Sequence, residues 1–270
     1  EFSDQSNLHK INSTLSPENP SYRKIKSFSF DSYFSDKKYP TFIKMDVEGF
    51  EPKVLAGAEQ TIGHGLGVTP ELIIFKSRSF SSGDAHFATY HHETTDANTD
   101  YLVLDTNEAR VQTDINYMGS TLPTSSVFSL GYNYTTNKNG EDYVAYCWAE
   151  IPGFSKFGRY KGNGDSDGTF VNVGFKPAWV LVKGEDFAGN WNLFDIKRPG
   201  ANPINDRLFP NLSDAETDGS SSNNQIDIVA NGFKMRGSNV DTNSAGNLYI
   251  YIAFAEQTSL NQYNLAVNGF

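Results

Sequence analysis

The sequence predicts a mainly β protein: two tandem antiparallel β-sandwich or jelly-roll-like repeats preceded by a small α/β segment. Three observations carry this. The chain holds 20 Phe and 14 Tyr, with many Asn, Ser, Thr and Gly, residues that favour pleated strands and tight turns over a helical bundle. A stretch also occurs twice: Gly67-Val68-Thr69-Pro70-Glu71-Leu72-Ile73-Ile74-Phe75-Lys76 returns 107 positions later as Gly174-Phe175-Lys176-Pro177-Ala178-Trp179-Val180-Leu181-Val182-Lys183 (67 to 174). Two further blocks recur 106 positions apart: G-x-N-x-x-T-N at Gly131 and Gly237, and Tyr143–Glu150 against Tyr249–Glu256.

The elements follow in chain order. Residues 1–62 are read as an N-terminal arm plus a βα fragment. Their first 24 residues are polar and aperiodic, with Pro17 and Pro20, as in a linker. Thr41–Gly49 reads as a short strand ending in acids. A helix is expected over 51–62, with Pro52 in its first turn and Val54, Leu55, Ala58 and Ile62 on one apolar face. Residues 63–152 form the first repeat, 153–169 an inter-repeat linker, 170–258 the second repeat and 259–270 a tail. Leu72–Phe75 and Trp179–Val182 are continuous apolar runs behind a proline, too short for helices, hence buried strands. Tyr143–Trp148 and Leu248–Phe254 are aromatic and β-branched behind Asn-x-x-Gly turns. Weaker strands are expected at Phe87–Tyr90, Tyr101–Leu104, Ser126–Leu130, Trp191–Ile196, Gln225–Val229 and Gly232–Met235. A repeat of this length is too long for a solenoid, whose units span roughly 20–50 residues.

Composition excludes several function classes. A net charge of −10 argues against a nucleic-acid partner, which needs clustered Lys and Arg. The single Cys147 allows no internal disulfide and no cysteine-rich zinc site; within Tyr146-Cys147-Trp148 it reads as a small buried hydrophobe. No apolar run approaches the ~20 residues of a membrane span. The opening Glu1-Phe2, without Met, is read as a processed or truncated start.

Two resemblances sharpen these expectations. Phe42-Ile43-Lys44-Met45-Asp46-Val47-Glu48-Gly49-Phe50-Glu51, then Val54-Leu55 and Gly57-Ala58, resemble the C-terminal part of FkbM-type, S-adenosylmethionine-dependent methyltransferases. That family carries its Gly-rich cofactor loop and ribose-binding acid well upstream. Nothing before Ile25 supplies them, so the resemblance implies ancestry rather than activity. Asp46 and Glu48 are read as acids capping the following helix. Residues 63–258 resemble a β-rich domain of unknown function that recurs in tail and fibre proteins of bacteriophages, notably marine ones. The family-like residues are Gly67–Lys76, Tyr143–Ala149, Gly153–Gly158, Gly162–Gly164, Gly174–Lys183, Asn231–Phe233 and Tyr249–Glu256. This resemblance implies a virion-surface location more than a chemistry.

Candidate sites are few. Trp191, after Gly189-Asn190, is the best candidate for a sugar platform, with Asn190 and Asp195 reading hydroxyls. Gly162–Gly168 is a dense turn in which Asp165 and Asp167 are candidate Ca²⁺ ligands, although the full EF-hand order is absent. Asp214–Gly219 is a weaker case of the same kind. His86, His91, His92, Glu93 and Asp96 are metal-capable types, but on a strand His91 and His92 face opposite ways. No complete catalytic or S-adenosylmethionine-binding motif stands out, so no cofactor and no enzyme activity are expected. The expected function is a tail-fibre-type structural protein of the virion surface that mediates assembly and attachment to host glycans. Its expected partners are a second copy of itself, other virion proteins and a host surface glycan. The alternatives are an enzyme (a degenerate methyltransferase or a glycan hydrolase) and a purely structural capsid decoration or filament subunit.

Overall fold

The computed structural model describes residues 42–47, 60–79, 85–198, 201–256, 259–260 and 266–267. Those residues are almost wholly β: they form 18 strands and one short 3-10 turn at Ser220–Ser222, and no α-helix. All the strand pairings are antiparallel.

Two large sheets dominate. The first contains β1 (Phe42–Val47), β3 (Leu72–Ser77), β4 (Ala88–His91), β5 (Leu102–Val103) and β7 (Tyr143–Trp148), in the order β1-β7-β3-β4-β5. The second contains β8 (Ser155–Lys161), β10 (Pro177–Gly184), β11 (Asn192–Asp195), β12 (Asp206–Leu208), β13 (Thr217–Asp218) and β16 (Leu248–Ala255). Its order, read from β8, is β8-β16-β10-β11-β12-β13. Registers run in parallel: β3 meets β7 as Leu72 opposite Trp148, and β10 meets β16 as Trp179 opposite Phe254. Three small sheets complete the fold. β2 (Gln60–Gly63) pairs with β6 (Val127–Leu130); β9 (Phe170–Asn172), β14 (Ile226–Val229) and β15 (Gly232–Met235) form the order β14-β15-β9; β17 (Ser259–Leu260) pairs with β18 (Ala266–Val267).

The repeated strands are apolar on both faces because both faces are buried. Side chains alternate across a strand, and each alternate set enters a different core. Ile73 and Phe75 of β3 join Phe128 and Leu130 of β6 in a core under the first large sheet. Val180 and Val182 of β10 join Ile226, Ile228, Phe233 and Met235 under the second. The remaining set, including Leu72, Leu102, Phe157, Leu181, Trp191, Ile250 and Ile252, packs between the two large sheets. The molecule is therefore layered, with a central apolar layer that contains residues from both large sheets. The repeated Gly131 and Gly237 are explained by space. A Cβ there would sit 2.4 Å from Asn116 O and 1.8 Å from Asn223 O, against fixed backbone in each case.

Polar groups stitch the same layer. His91, fully buried, donates from Nε2 to Tyr251 O at 3.1 Å and accepts the Glu93 N–H on Nδ1. His92 Nε2 donates to Phe157 O at 3.0 Å, and the Trp191 indole N–H donates to Val103 O at 2.9 Å. Arg110 N donates to Glu185 O and Gly189 N to Asn107 O, both at 2.7 Å.

Three expectations meet described residues here, in whole or in part. Residues 153–169, read as a linker, carry the seven-residue strand β8. Its apolar content is thin, only Phe157 and Tyr160 being buried hydrophobics. Gly158 lies opposite Tyr251, whose ring occupies the space a side chain would need. The helix expected over 51–62 lies outside the described residues except at its end, where Gln60–Ile62 is part of β2. Of the small α/β segment, only β1 and β2 are described, and β1 lies antiparallel to β7. The arm over residues 1–24 and the acids Asp46 and Glu48 fall on residues whose side chains are not described.

Two outcomes follow from the central layer. Burial lowers the His91 imidazole from its ordinary 6.5 to about 3. Between those values the unfolded chain binds a proton that the folded chain refuses, so stability falls as pH drops through that window. The loss should be on the order of 3–5 kcal/mol near its lower end. Urea melts from pH 7 to pH 3.5 should show this slope, and His91→Gln should flatten it. Trp191→Ala should cost about 3–5 kcal/mol in the same assay at pH 7.

Candidate functional site

The residues singled out from sequence are mostly engaged internally. Trp191 is fully buried in the central layer, so it offers no surface platform. Its turn-like neighbours Gly189-Asn190 suggested exposure, but an indole N–H can be buried once a carbonyl accepts it, and Val103 O does so. Asn190 Oδ1 accepts Asn211 Nδ2 at 2.8 Å, and Asn190 N donates to Asp241 Oδ1 at 3.3 Å. Asp195 Oδ1 accepts the Lys197 N–H at 2.8 Å. Asp165 Oδ1 accepts the Asp167 N–H at 2.8 Å, and the Asp167 carboxylate pairs with Lys234 at 2.6 Å and Arg236 at 3.0 Å. Those cations, foremost Lys234, hold Asp167 below its usual range. A carboxylate already neutralised by two cations is a poor Ca²⁺ ligand. In the weaker loop, Asp218 accepts Ser220 N at 2.8 Å and Asn205 Nδ2 at 2.7 Å. Among the described residues no group of three or more His, Cys, Asp or Glu could hold a metal ion. Cys147 is buried, its thiol pushed up to about 12 by burial.

A different set of residues forms an open cleft of about 290 Å³ at one edge of the first large sheet, lined by His86, Tyr101, Val103, Glu108, Val111, Asn133, Tyr134 and Thr135. Its floor is rigid. Tyr101 stacks on the buried Tyr117 with ring centres 4.3 Å apart. Tyr101 N and O also bridge to Val111. One wall is braced by Asp105, whose Oδ1 accepts the Phe87 N–H at 2.9 Å while Oδ2 lies 3.2 Å from His86 Nδ1. The other wall is the loop after Gly131. There Asn133 Oδ1 accepts the Thr135 N–H at 2.7 Å and Asn133 Nδ2 donates to Asp114 Oδ2 at 2.5 Å. This Asx turn raises Tyr134 onto the rim. Tyr134 and Tyr132 are about half and two-fifths exposed (48% and 38%) and meet edge-on at 5.8 Å. Lys138 Nζ lies 5.5 Å over the Tyr134 ring, and Tyr134 O is tied to the Tyr143 hydroxyl at 2.7 Å.

Chemically, the cleft combines one exposed aromatic ring, that of Tyr134, with the Glu108 carboxylate, the Asn133 amide and an imidazole beside a carboxylate. His86 stood out in the sequence only as a metal-capable type beside His91 and His92, and no sequence signal marked Glu108. Asn133, Tyr134 and Thr135 were visible only as part of a repeated turn.

The second large sheet has a polar cluster of its own that is closed. Lys183, fully buried, donates to Gly184 O at 2.9 Å; burial pulls its ammonium down to about 8, against the opposing charge of Asp241. Arg207 donates to Asn224 O at 3.1 Å and Ser222 Oγ at 3.0 Å. Asn224 donates to Asn192 Oδ1 at 2.9 Å and accepts the Thr242 hydroxyl at 3.0 Å.

No curated protein and no solved structure matches the chain. The family described as "Domain of unknown function (DUF7483)" matches residues 49–258. That span takes in strands of both large sheets and the cleft between Gly131 and His86, and on this match the chain belongs to the DUF7483 family.

Proposed function

We propose that the chain is a virion-surface protein of the tail-fibre type, built from two copies of one β unit, that attaches to glycans on the host surface through the cleft at Tyr134. The observation that carries this reading is the cleft: the exposed Tyr134 ring beside a carboxylate, an amide and an imidazole. Aromatic faces stack on the apolar faces of sugars, while such polar groups read hydroxyls. The two-copy reading is supported by the repeated blocks together with the matching strand order and register of the large sheets. The virion location is supported by the resemblance of those blocks to phage tail and fibre domains. A net charge of −10 suits a self-repelling, soluble appendage.

A hydrolase reading is favoured by one pair: His86 and Asp105 at 3.2 Å in the same cleft as Glu108, an arrangement able to move a proton. Release of reducing sugar from an oligosaccharide panel would favour it over attachment.

The attachment reading is tested by probing an array of host-type glycans with the full chain. Binding should appear, and Tyr134→Ala should weaken it at least tenfold while leaving the thermal midpoint within a few degrees, since the ring is at the surface. An array without any binding would leave a scaffold only. The appendage reading further expects a closed symmetric oligomer, so light scattering at high concentration should give a mass above that of one chain.

A further inference from the structure

The cleft and the closed cluster occupy corresponding places in the two large sheets. Leu72 and Trp179 take the same position in register, and so do His91 and Asp195 opposite them. Counting back along the chain places His86 with Asn190. Thr89 pairs with Leu102 as Leu193 pairs with Leu208, which places Tyr101 with Arg207. The repeated G-x-N-x-x-T-N block places Asn133, Tyr134 and Thr135 with Asn239, Val240 and Asp241. Local geometry agrees. Asn239 Oδ1 accepts the Asp241 N–H at 2.9 Å, as Asn133 does for Thr135. Asn211 Oδ1 accepts the Trp191 N–H at 3.0 Å, as Asp105 does for Phe87.

At these matched places two substitutions set the outcome. Asp241 reaches across to the Asn190 N–H at 3.3 Å, and the chain at Gly189 is so close that a Cβ there would lie 2.6 Å from Asp241 Oδ1. The gap is shut. Thr135, in the same place, turns its shorter side chain back onto Asn133 Oδ1, and the gap stays open. Val240, exposed, stands where Tyr134 supplies an aromatic face.

Resting on the attachment reading, we infer that the described residues carry a single saccharide site, in the cleft of the first unit, and that this site selects an uncharged sugar. The second unit is a closed copy: it lacks both the gap and the ring. Selection against anionic sugars comes from Glu108, an exposed carboxylate in the cleft lining, with Asp105 beside His86 and Asp114 beside Asn133. An added carboxylate or sulfate would meet like charge there, since no Lys or Arg lines the cleft and Lys138, over the Tyr134 ring, is already paired with Glu141.

Calorimetric titration of the full chain tests this, using neutral oligosaccharides and their sialylated and sulfated counterparts. The expected result is one site per chain for a neutral sugar, lost in Tyr134→Ala, with weaker binding of the anionic counterpart. Glu108→Gln should raise affinity for the anionic sugars about fivefold, the effect of one removed charge at a few ångströms in water. Two equal sites per chain, a preference for anionic sugars, or neutral binding unaffected by Tyr134→Ala would overturn this inference and leave glycan attachment standing. Absence of binding to every sugar tested would overturn both.

Discussion

The apolar layer between the two large sheets is the contact on which the rest of the structure depends. Leu72, Leu181, Ile250 and Ile252 are each nearly fully buried there, and burying such a side chain contributes about 1.5–3 kcal/mol. Without this layer, the central strands would present an apolar face to water, which single domains rarely do over a large area. The layer also dictates the unusual character of the strands. An antiparallel sheet with one wet face reads as alternating apolar and polar residues; a sheet covered on both sides reads as a continuous run. Trp179–Val182 and Ile250–Phe254 read that way because their two faces enter two different cores.

The same layer is not uniformly apolar, and its polar groups meet the usual condition for burial: each of the main ones has a partner. His91, His92 and Trp191 each donate to a backbone carbonyl of the other large sheet or its loops. Glu185 is the costly exception. Its Oε2 accepts Thr95 N–H and O–H at 3.2 and 3.1 Å, while Oε1 makes no hydrogen bond, with Arg159 3.9 Å away. Burial raises its carboxyl above the ordinary range. Directional bonds of this kind align the two sheets where apolar contact alone would let them slide.

The candidate site lies at the edge of the first large sheet, where strands give way to loops. Paired and core-packed backbone sets the floor through Tyr101 and Val103, while the walls are turns closed by Asn133 and Asp105. This division explains why a site can open in one copy and shut in the other, on the two-copy reading, without disturbing either sheet. Changes from Thr to Asp or Tyr to Val in a turn leave the cores beneath intact.

Much of the β framework was legible in the residues. Strands expected at Leu72–Phe75, Tyr143–Trp148, Trp179–Val182, Leu248–Phe254 and Gly232–Met235 all form, because their patterns report local burial. β8 was not legible: its Gly158 and its charged residues are tolerated only because β16 lies beside it. The candidate site was less legible still. Trp191 carried the composition of a sugar platform and is buried, whereas His86, Tyr101 and Tyr134 come from three separate loops and strand ends that only the fold brings to one cleft. By itself the sequence determined which segments are strands, which turns repeat, and the sign of the surface charge, since these depend on neighbours along the chain. Only the tertiary structure decided which aromatics face water and which carboxylates remain free to act. Those outcomes depend on the single carbonyl, cation or backbone N–H that a distant segment brings within about 3 Å.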